Sequence, residues 1–167
     1  MKAAVLETYN NFVWKDVPTP KVKPGEVLIR IKFASICGTD MHIFPGDFHP
    51  RTPIPFIPGH EFGGVVEEIG AGVSGFEPGD KVAVDPIIWC NECPACLRKH
   101  YPACTKLKLL GIDQDGGFAE YISVPPSMLF KTAATVDDKH VALIEILAIG
   151  FHANKRENEG AISGDIV

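Results

Sequence analysis

The chain has 167 residues, of which 46% are hydrophobic, and its formal net charge is -5 at pH 7. This length and apolar content predict one globular domain with one sizeable core. Basic residues are scattered among acidic ones, which argues against nucleic acid or an anionic membrane surface as a partner. No apolar run approaches the roughly 20 residues that span a bilayer, and Glu7 comes too early for a signal peptide. We therefore expect a cytoplasmic protein.

Short apolar stretches separated by proline and glycine turns dominate the first part of the chain. Those that predict strands are residues 2–5, 12–17, 27–33, 62–69, 81–84, 118–124 and 128–131. The third stretch alternates, which places the odd-numbered residues from Val27 to Phe33 on one buried face. Strands this short, at roughly ten-residue spacing, predict a small β-barrel.

Two segments depart from this strand pattern. Residues 44–58 carry five prolines, a density that excludes helix and central strand and predicts an ordered loop. After residue 134 apolar residues recur at steps of three and four, with Thr135 and Asp137 as candidate N-caps. This period predicts the first convincing helix of the chain, with Glu145 on its otherwise apolar face.

Four of the five cysteines lie close together, at Cys90, Cys93, Cys96 and Cys104. Their spacing lets one backbone wrap a single tetrahedral ion with four sulfur ligands. In a reducing compartment, closely spaced cysteines are more often metal ligands than disulfides. The pattern predicts a closed structural zinc site in a lobe of residues 88–106. The alternative is a secreted domain with two disulfides and one spare thiol.

The fifth cysteine, Cys37, follows the third predicted strand, while His60 and Glu61 follow the proline-rich loop. A catalytic zinc keeps about three protein ligands and one open position, so a closed four-cysteine cage cannot fill that role. Cys37, His60 and Glu61 are therefore candidates for a second metal site. Glu145 is a further candidate, because a carboxylate on an apolar face must be paired, protonated or metal-bound. The alternatives are a buried cysteine, a core histidine and a carboxylate that reaches solvent.

Several motifs in the same order resemble the zinc-dependent medium-chain alcohol dehydrogenases. They are Cys-Gly-Thr-Asp-Met-His at 37–42, Pro-Gly-His-Glu at 58–61, Pro-Gly-Asp at 78–80, the four-cysteine loop, and Ala-Leu-Ile-Glu at 142–145. Glu145 falls where ethanol-type enzymes carry a cysteine. The chain is therefore most similar to the polyol (sorbitol) and threonine dehydrogenase branch, over residues 1 to about 155.

This resemblance implies a mainly β fold, a GroES-like barrel with a few short helices and a zinc-stapled loop. Residues 1–155 would form the catalytic domain, and residues 156–167 would begin the connection to a coenzyme-binding domain. The family binds NAD(P) on a Rossmann domain, whose Gly-x-Gly-x-x-Gly fingerprint is absent from this chain. NAD(P) is thus expected only together with that further domain, through which family members commonly form homo-oligomers.

The resemblance also assigns ligands to a catalytic zinc. It implies that Cys37 and His60 bind the ion together with Glu61 and Glu145, and that one of these two carboxylates lies outside the direct ligand set. Which of the two it is stays open. Asp40 would accept a hydrogen bond from the non-ligating nitrogen of His60 and so fix its tautomer. Two zinc ions per chain are expected.

Thr39 and His42 are the candidates for proton transfer. Thr39 is two residues from Cys37, so on an extended segment both side chains would point the same way. The resemblance implies that zinc acts as a Lewis acid on an alcohol and that Thr39 takes the alcohol proton. The proton would leave through the cofactor ribose to His42. The alternatives are an ordinary turn threonine and a surface histidine.

The predicted function is that of the catalytic domain of a zinc-dependent oxidoreductase, inactive without its coenzyme domain. It would oxidise a small-molecule polyol or secondary alcohol with NAD(P). The alternative is a zinc-stabilised GroES-like module that binds a partner or ligand and catalyses nothing. The first hypothesis requires two zinc ions per chain. The sequence leaves open which alcohol is used, and whether the coenzyme is NAD or NADP.

Overall fold

Nine short strands, four α-helices and two short 3₁₀ helices lie in the part of the chain that the computed structural model describes, residues 1–158. The strands are β1 (Lys2–Thr8), β2 (Asn11–Asp16), β3 (Val27–Ser35), β4 (Glu61–Ile69), β5 (Lys81–Val84), β6 (Ile87–Ile88), β7 (Lys108–Leu109), β8 (Tyr121–Val124) and β9 (Leu129–Lys131). The helices are α1 (Gly38–Ile43), α2 (Pro94–Leu97), α3 (Asp138–Val141) and α4 (Ile144–Asn158). The mainly β class is therefore confirmed.

The strands pair in three antiparallel sheets. The largest has five strands in the order β8-β3-β4-β5-β9, while β1 pairs with β2 and β6 with β7. The small β-barrel predicted from the strand spacing is not closed among residues 1–158, because β8 and β9 are the two open edges of the five-stranded sheet. These residues also hold no doubly wound parallel sheet, which agrees with the missing dinucleotide fingerprint.

The main core lies against the five-stranded sheet. Its fully buried members include Val27, Ile29, Phe62, Val66, Val82 and Val124. The predicted alternation of β3 holds only from Ile29 to Lys32, since Leu28 is also buried and Phe33 is 49% exposed. The register between β3 and β4 shifts twice, between Leu28 and Ile29 and between Ile31 and Phe33. Such bulges re-aim side chains, which a strict two-residue period does not anticipate.

At Gly64 the backbone of β4 lies close to that of β3. A Cβ atom at this position would stand 2.2 Å from the backbone oxygen of Arg30, a contact that only a backbone shift could relieve. We expect Gly64→Ala to lower the free energy of unfolding by about 3 kcal/mol, as overpacking of a well-packed core does. Chemical denaturation of the variant and its parent measures the difference.

Gly150→Ala is the matched control, because nothing lies within 4 Å of a Cβ at that helical position. Alanine there is expected to leave stability unchanged or to raise it by up to about 1 kcal/mol, since glycine is the poorer helix former. A Gly64→Ala protein as stable as its parent would contradict the close approach of the two strands.

The predicted late helix is divided in two. The side chain of Asp137 caps α3 by accepting a hydrogen bond from the backbone nitrogen of Lys139 at 3.1 Å. Val141 and Ala142 are buried, at 1% and 3% exposure, so α3 stays against the sheet, and α4 begins only at Ile144. The spacing of apolar residues at steps of three and four continues across the break between α3 and α4, so the sequence pattern does not reveal it. No helix in residues 1–158 combines the length and apolar character needed to cross a bilayer.

Candidate metal centres

The four-cysteine cluster is compact. All four thiols are free, and their sulfur atoms lie within 4.8 Å of one another. The sulfur of Cys90 is 3.6 Å from that of Cys104 and 3.9 Å from that of Cys96. A tetrahedral ion with zinc–sulfur bonds of about 2.3 Å sets its sulfur atoms about 3.8 Å apart, whereas a disulfide bond is about 2.0 Å long. The distances therefore fit a shared ion.

Backbone amides surround this cluster and favour its charged form. The amide of Cys90 donates to the sulfur of Cys104, and the amide of Cys93 donates to the sulfur of Cys90, both at 3.4 Å. Amides of Cys96 and Thr105 lower the pKa of the Cys93 thiol to about 5, while burial raises the pKa of Cys96 to about 12. Thiolates are the metal-binding form. Four of them at this distance require a cation to offset their mutual repulsion.

The second cluster brings together Cys37, His60 and Glu61, whose ligand atoms lie within 4.8 Å of one another. Cys37 lies two residues after the end of β3, and Glu61 is the first residue of β4. The two strands are antiparallel neighbours with Ser35 opposite Glu61, so the end of one meets the start of the other. His60 and Glu61 are 7% and 5% exposed. The site therefore lies largely inside the fold, with Cys37 partly exposed.

Gly59 shapes the approach of the chain to His60. Its φ of +95° lies in the left-handed region that favours glycine, and a Cβ there would stand 2.4 Å from the ring of Phe118. This accounts for glycine in the Pro-Gly-His-Glu motif at residues 58–61.

Asp40 and His60 face each other inside the site. The Nδ1 atom of His60 is 3.8 Å from Oδ1 of Asp40, and both atoms are buried without a hydrogen-bond partner. The predicted hydrogen bond between them is thus not made at this distance. The other oxygen of Asp40 accepts a hydrogen bond from the backbone of Cys37 at 2.8 Å. Burial raises the pKa of Asp40, against the opposing effects of the Cys37 amide and of His60.

The three-residue cluster fits a zinc ion. Thiolate, imidazole and carboxylate are the donors that zinc takes in proteins, and three of them leave room for a fourth ligand. The burial of Glu61, which is 5% exposed, is a further sign, because a buried carboxylate needs a cation or hydrogen-bond donors to offset its charge.

Glu145 stands close to this cluster but outside it. It lies in the first turn of α4 and is partly buried, and the three ligand residues within 4.8 Å do not include it. Burial and the neighbouring charge of Glu61 raise the pKa of Glu145. Glu145 also lines a mostly apolar cavity of about 410 Å³ together with Asp85, Phe130 and His152.

The two proton-transfer candidates occupy α1. Cys37 is the extended N-cap of this helix and Thr39 lies in its first turn. The extended geometry assumed for Thr39 is therefore wrong, because the chain turns into a helix at Gly38. His42 is exposed, and its Nδ1 atom lies 3.0 Å from a carboxylate oxygen of Asp47.

Two residues near the site were not predicted from the sequence. The hydroxyl of Ser35 donates a hydrogen bond to Oε2 of Glu61 at 2.7 Å, and Asp85 lines the cavity beside Glu145. Burial raises the pKa of Asp85. The sequence feature that could have identified Ser35 is its position: it is a polar residue at the end of a strand, two residues before Cys37. Asp85 offered only its position after β5.

A mainly β domain with these two ligand clusters has the architecture of a zinc-binding dehydrogenase domain, and comparison with known proteins agrees. Residues 23–134 match the alcohol dehydrogenase GroES-like domain family. The chain belongs to the zinc-dependent medium-chain alcohol dehydrogenases, in which it corresponds to the GroES-like domain, and this confirms the family predicted from its motifs.

Three relatives illustrate the match. L-threonine 3-dehydrogenase of Pyrococcus furiosus is 45% identical over 134 residues, which are 79% of this chain and 38% of that enzyme. The crystal structure of the short-chain alcohol dehydrogenase RspB of Escherichia coli CFT073 with NADH has a TM-score of 0.85 at 36% identity, over 95% of this chain and 46% of that one. A thermostable alcohol dehydrogenase of Pyrobaculum aerophilum with bound cobalt and zinc has a TM-score of 0.78 at 38% identity, over 87% and 44%.

This chain spans less than half the length of each of these three relatives.

Proposed function

We propose that this chain is the catalytic domain of a zinc-dependent dehydrogenase that oxidises a polyol or secondary alcohol with NAD(P). The observation that carries the proposal is the meeting of Cys37, His60 and Glu61, with ligand atoms within 4.8 Å of one another. A four-cysteine cage alone would fit a purely structural module. A second cluster with only three ligands provides a place for a substrate oxygen.

In this proposal Cys37, His60 and Glu61 hold the catalytic ion, and Glu145 stands beside them. Zinc, when bound there, supplies Lewis-acid polarisation of the alcohol oxygen. Nδ1 of His60 faces Asp40, which leaves Nε2 as the nitrogen for the ion. Nδ1 then carries the ring hydrogen, and the carboxylate of Asp40, 3.8 Å away, favours this tautomer through its charge.

The proton of the alcohol leaves through residues of α1. Thr39 is the nearest candidate by sequence to the ligand Cys37, and its hydroxyl can both accept and donate a proton. His42 is solvent-exposed, and Asp47 orients it from 3.0 Å, so it can release a proton to water.

The coenzyme is proposed to bind outside residues 1–158, because no parallel sheet occurs within those residues. The chain is thus expected to be inactive alone, and the complete protein to be a cytoplasmic enzyme that forms homo-oligomers. The four-cysteine cluster is proposed to hold the second, structural zinc. Neither a nucleic acid nor a membrane is expected as a partner.

The open position of the proposed catalytic ion can be tested with a small ligand. We expect imidazole to shift the visible absorption spectrum of the cobalt-loaded chain, because a three-ligand site can accept a further donor while a four-cysteine cage cannot. The Cys37→Ala variant serves as the control and should show no shift. A parent spectrum that does not respond to imidazole would favour the non-catalytic module.

The coenzyme assignment has its own measurement. We expect no saturable rise in NADH fluorescence when this chain is added, and no oxidation of sorbitol in the presence of NAD or NADP, because the dinucleotide fold lies elsewhere. The NADH-binding RspB protein is the positive control. A saturable signal from this chain would show that it binds the coenzyme by itself.

A further inference from the structure

The hydrogen bond between Ser35 and Glu61 joins the two strands that deliver the proposed ligands. Ser35 is the last residue of β3 and Glu61 the first of β4, and they are direct partners in the antiparallel register. Side chains of such partners lie on the same face, about 5 Å apart. The hydroxyl of Ser35 therefore reaches Oε2 of Glu61 at 2.7 Å.

This bond acts on a carboxylate that has little contact with water. Glu61 is 5% exposed, and a buried carboxylate needs a donor or a cation for its charge. Ser35 occupies one of its two oxygens. The carboxylate can then turn less freely about its terminal torsion, which is otherwise a soft one. Its other oxygen is left for the ion beside Cys37 and His60.

We propose that Ser35 is a positioning residue for the metal site: its hydroxyl holds the Glu61 carboxylate in the ligand cluster with Cys37 and His60. The inference rests on the proposed function, since it requires a metal ion at this cluster. It assigns Ser35 no contact with substrate or metal. Its effect passes entirely through the orientation of Glu61.

Three variants test this role. Ser35→Ala removes the hydroxyl, and Ser35→Thr keeps it. Ser123→Ala is the matched control, because Ser123 donates the same kind of hydrogen bond to a carboxylate oxygen of Glu26 at 2.8 Å. Neither Ser123 nor Glu26 belongs to either of the two metal-ligand clusters. Circular dichroism checks that all three proteins are folded.

Two readouts report on the metal site without any activity measurement. The first is the affinity for zinc, from the zinc that each protein retains against a graded series of chelator concentrations. The second is the absorption spectrum of the cobalt-loaded protein, taken as the difference from Cys37→Ala so that the four-cysteine contribution cancels. This spectrum is sensitive to the geometry of the metal ligands. It would stay unchanged if Ser35 only stabilised the fold.

We expect Ser35→Ala to lower the zinc affinity of the second site by roughly 10–100-fold, the usual cost of losing a partner that orients a metal ligand. Its cobalt spectrum should also change. Ser35→Thr should restore both values, and Ser123→Ala should match the parent. In a Glu61→Gln background, Ser35→Ala should add little further loss, because both changes disable the same ligand.

Other results would overturn the inference. Parental affinity and spectrum in Ser35→Ala, with two ions bound to the parent, would remove the role of Ser35 and leave the proposed function intact. A Ser35→Thr variant as defective as Ser35→Ala would do the same. A parent that binds no second ion would refute both the proposed function and the role of Ser35.

Discussion

Cys93→Ser is expected to release the ion from the four-cysteine cluster and to unfold residues 88–106, while the five-stranded sheet stays folded. The physical reason is that this lobe has almost no core of its own. Its buried residues are three of the cysteines and Ala95, with Trp89 and Tyr101 packed against them. Binding free energies of about 10–16 kcal/mol for structural zinc in small peptides show how much folding a metal can drive.

Trypsin and fluorescence measure this effect. Arg98, Lys99 and Lys106 provide cleavage sites within the lobe, and cleavage there should become fast in Cys93→Ser. The rings of Trp89 and Tyr101 stack at 4.5 Å, so the Trp89 emission should shift as the stack is lost. Zinc content should fall by one ion per chain.

Cys37→Ser is the control for this experiment, because it also removes a thiol but lies outside the lobe. It should leave the lobe resistant to trypsin. Equal resistance of Cys93→Ser and the parent would contradict a metal-dependent lobe.

Cys37→Ala and His60→Ala are each expected to lower the zinc content from two ions per chain to one. Each variant removes one of three ligands, so the loss in affinity should exceed the roughly 10–100-fold typical of a lost outer partner. The retained ion should be the one in the four-cysteine lobe. Atomic emission on dialysed protein gives the metal count, and trypsin resistance of residues 88–106 shows that the lobe is still filled.

His42→Ala is the matched control for His60→Ala. His42 is exposed and bonded to Asp47, so its loss should leave two ions per chain. One zinc ion in the parent, unchanged by Cys37→Ala, would exclude a metal at this site and favour the non-catalytic module.

The proximity of the four cysteines could be predicted from the sequence because it is local. Cys90, Cys93, Cys96 and Cys104 are separated by short loops, so few backbone arrangements are open to them. The short strands and their turns were also predictable, since the two-residue period and the placement of glycine and proline act over a few residues. The cap at Asp137 belongs with them, because its bond to Lys139 spans two residues.

Other features depended on contacts between distant segments. The exposure of Phe33 follows from bulges against β4, and the break before Ile144 follows from the burial of Val141 and Ala142 against the sheet. The helical setting of Thr39 was missed for a local reason, because Cys37 is extended as the N-cap while the next residue is already helical.

The sequence by itself therefore determined the mainly β class, the grouping of the four cysteines and the choice of Cys37 and His60 as residues to examine. Only the tertiary structure decided that Cys37, His60 and Glu61 meet, that Glu145 is not among them, and that Ser35 donates a hydrogen bond to Glu61. The reason is that chain connectivity restricts neighbours within a few residues. Residues farther apart meet only where strand register and core packing bring their backbones together.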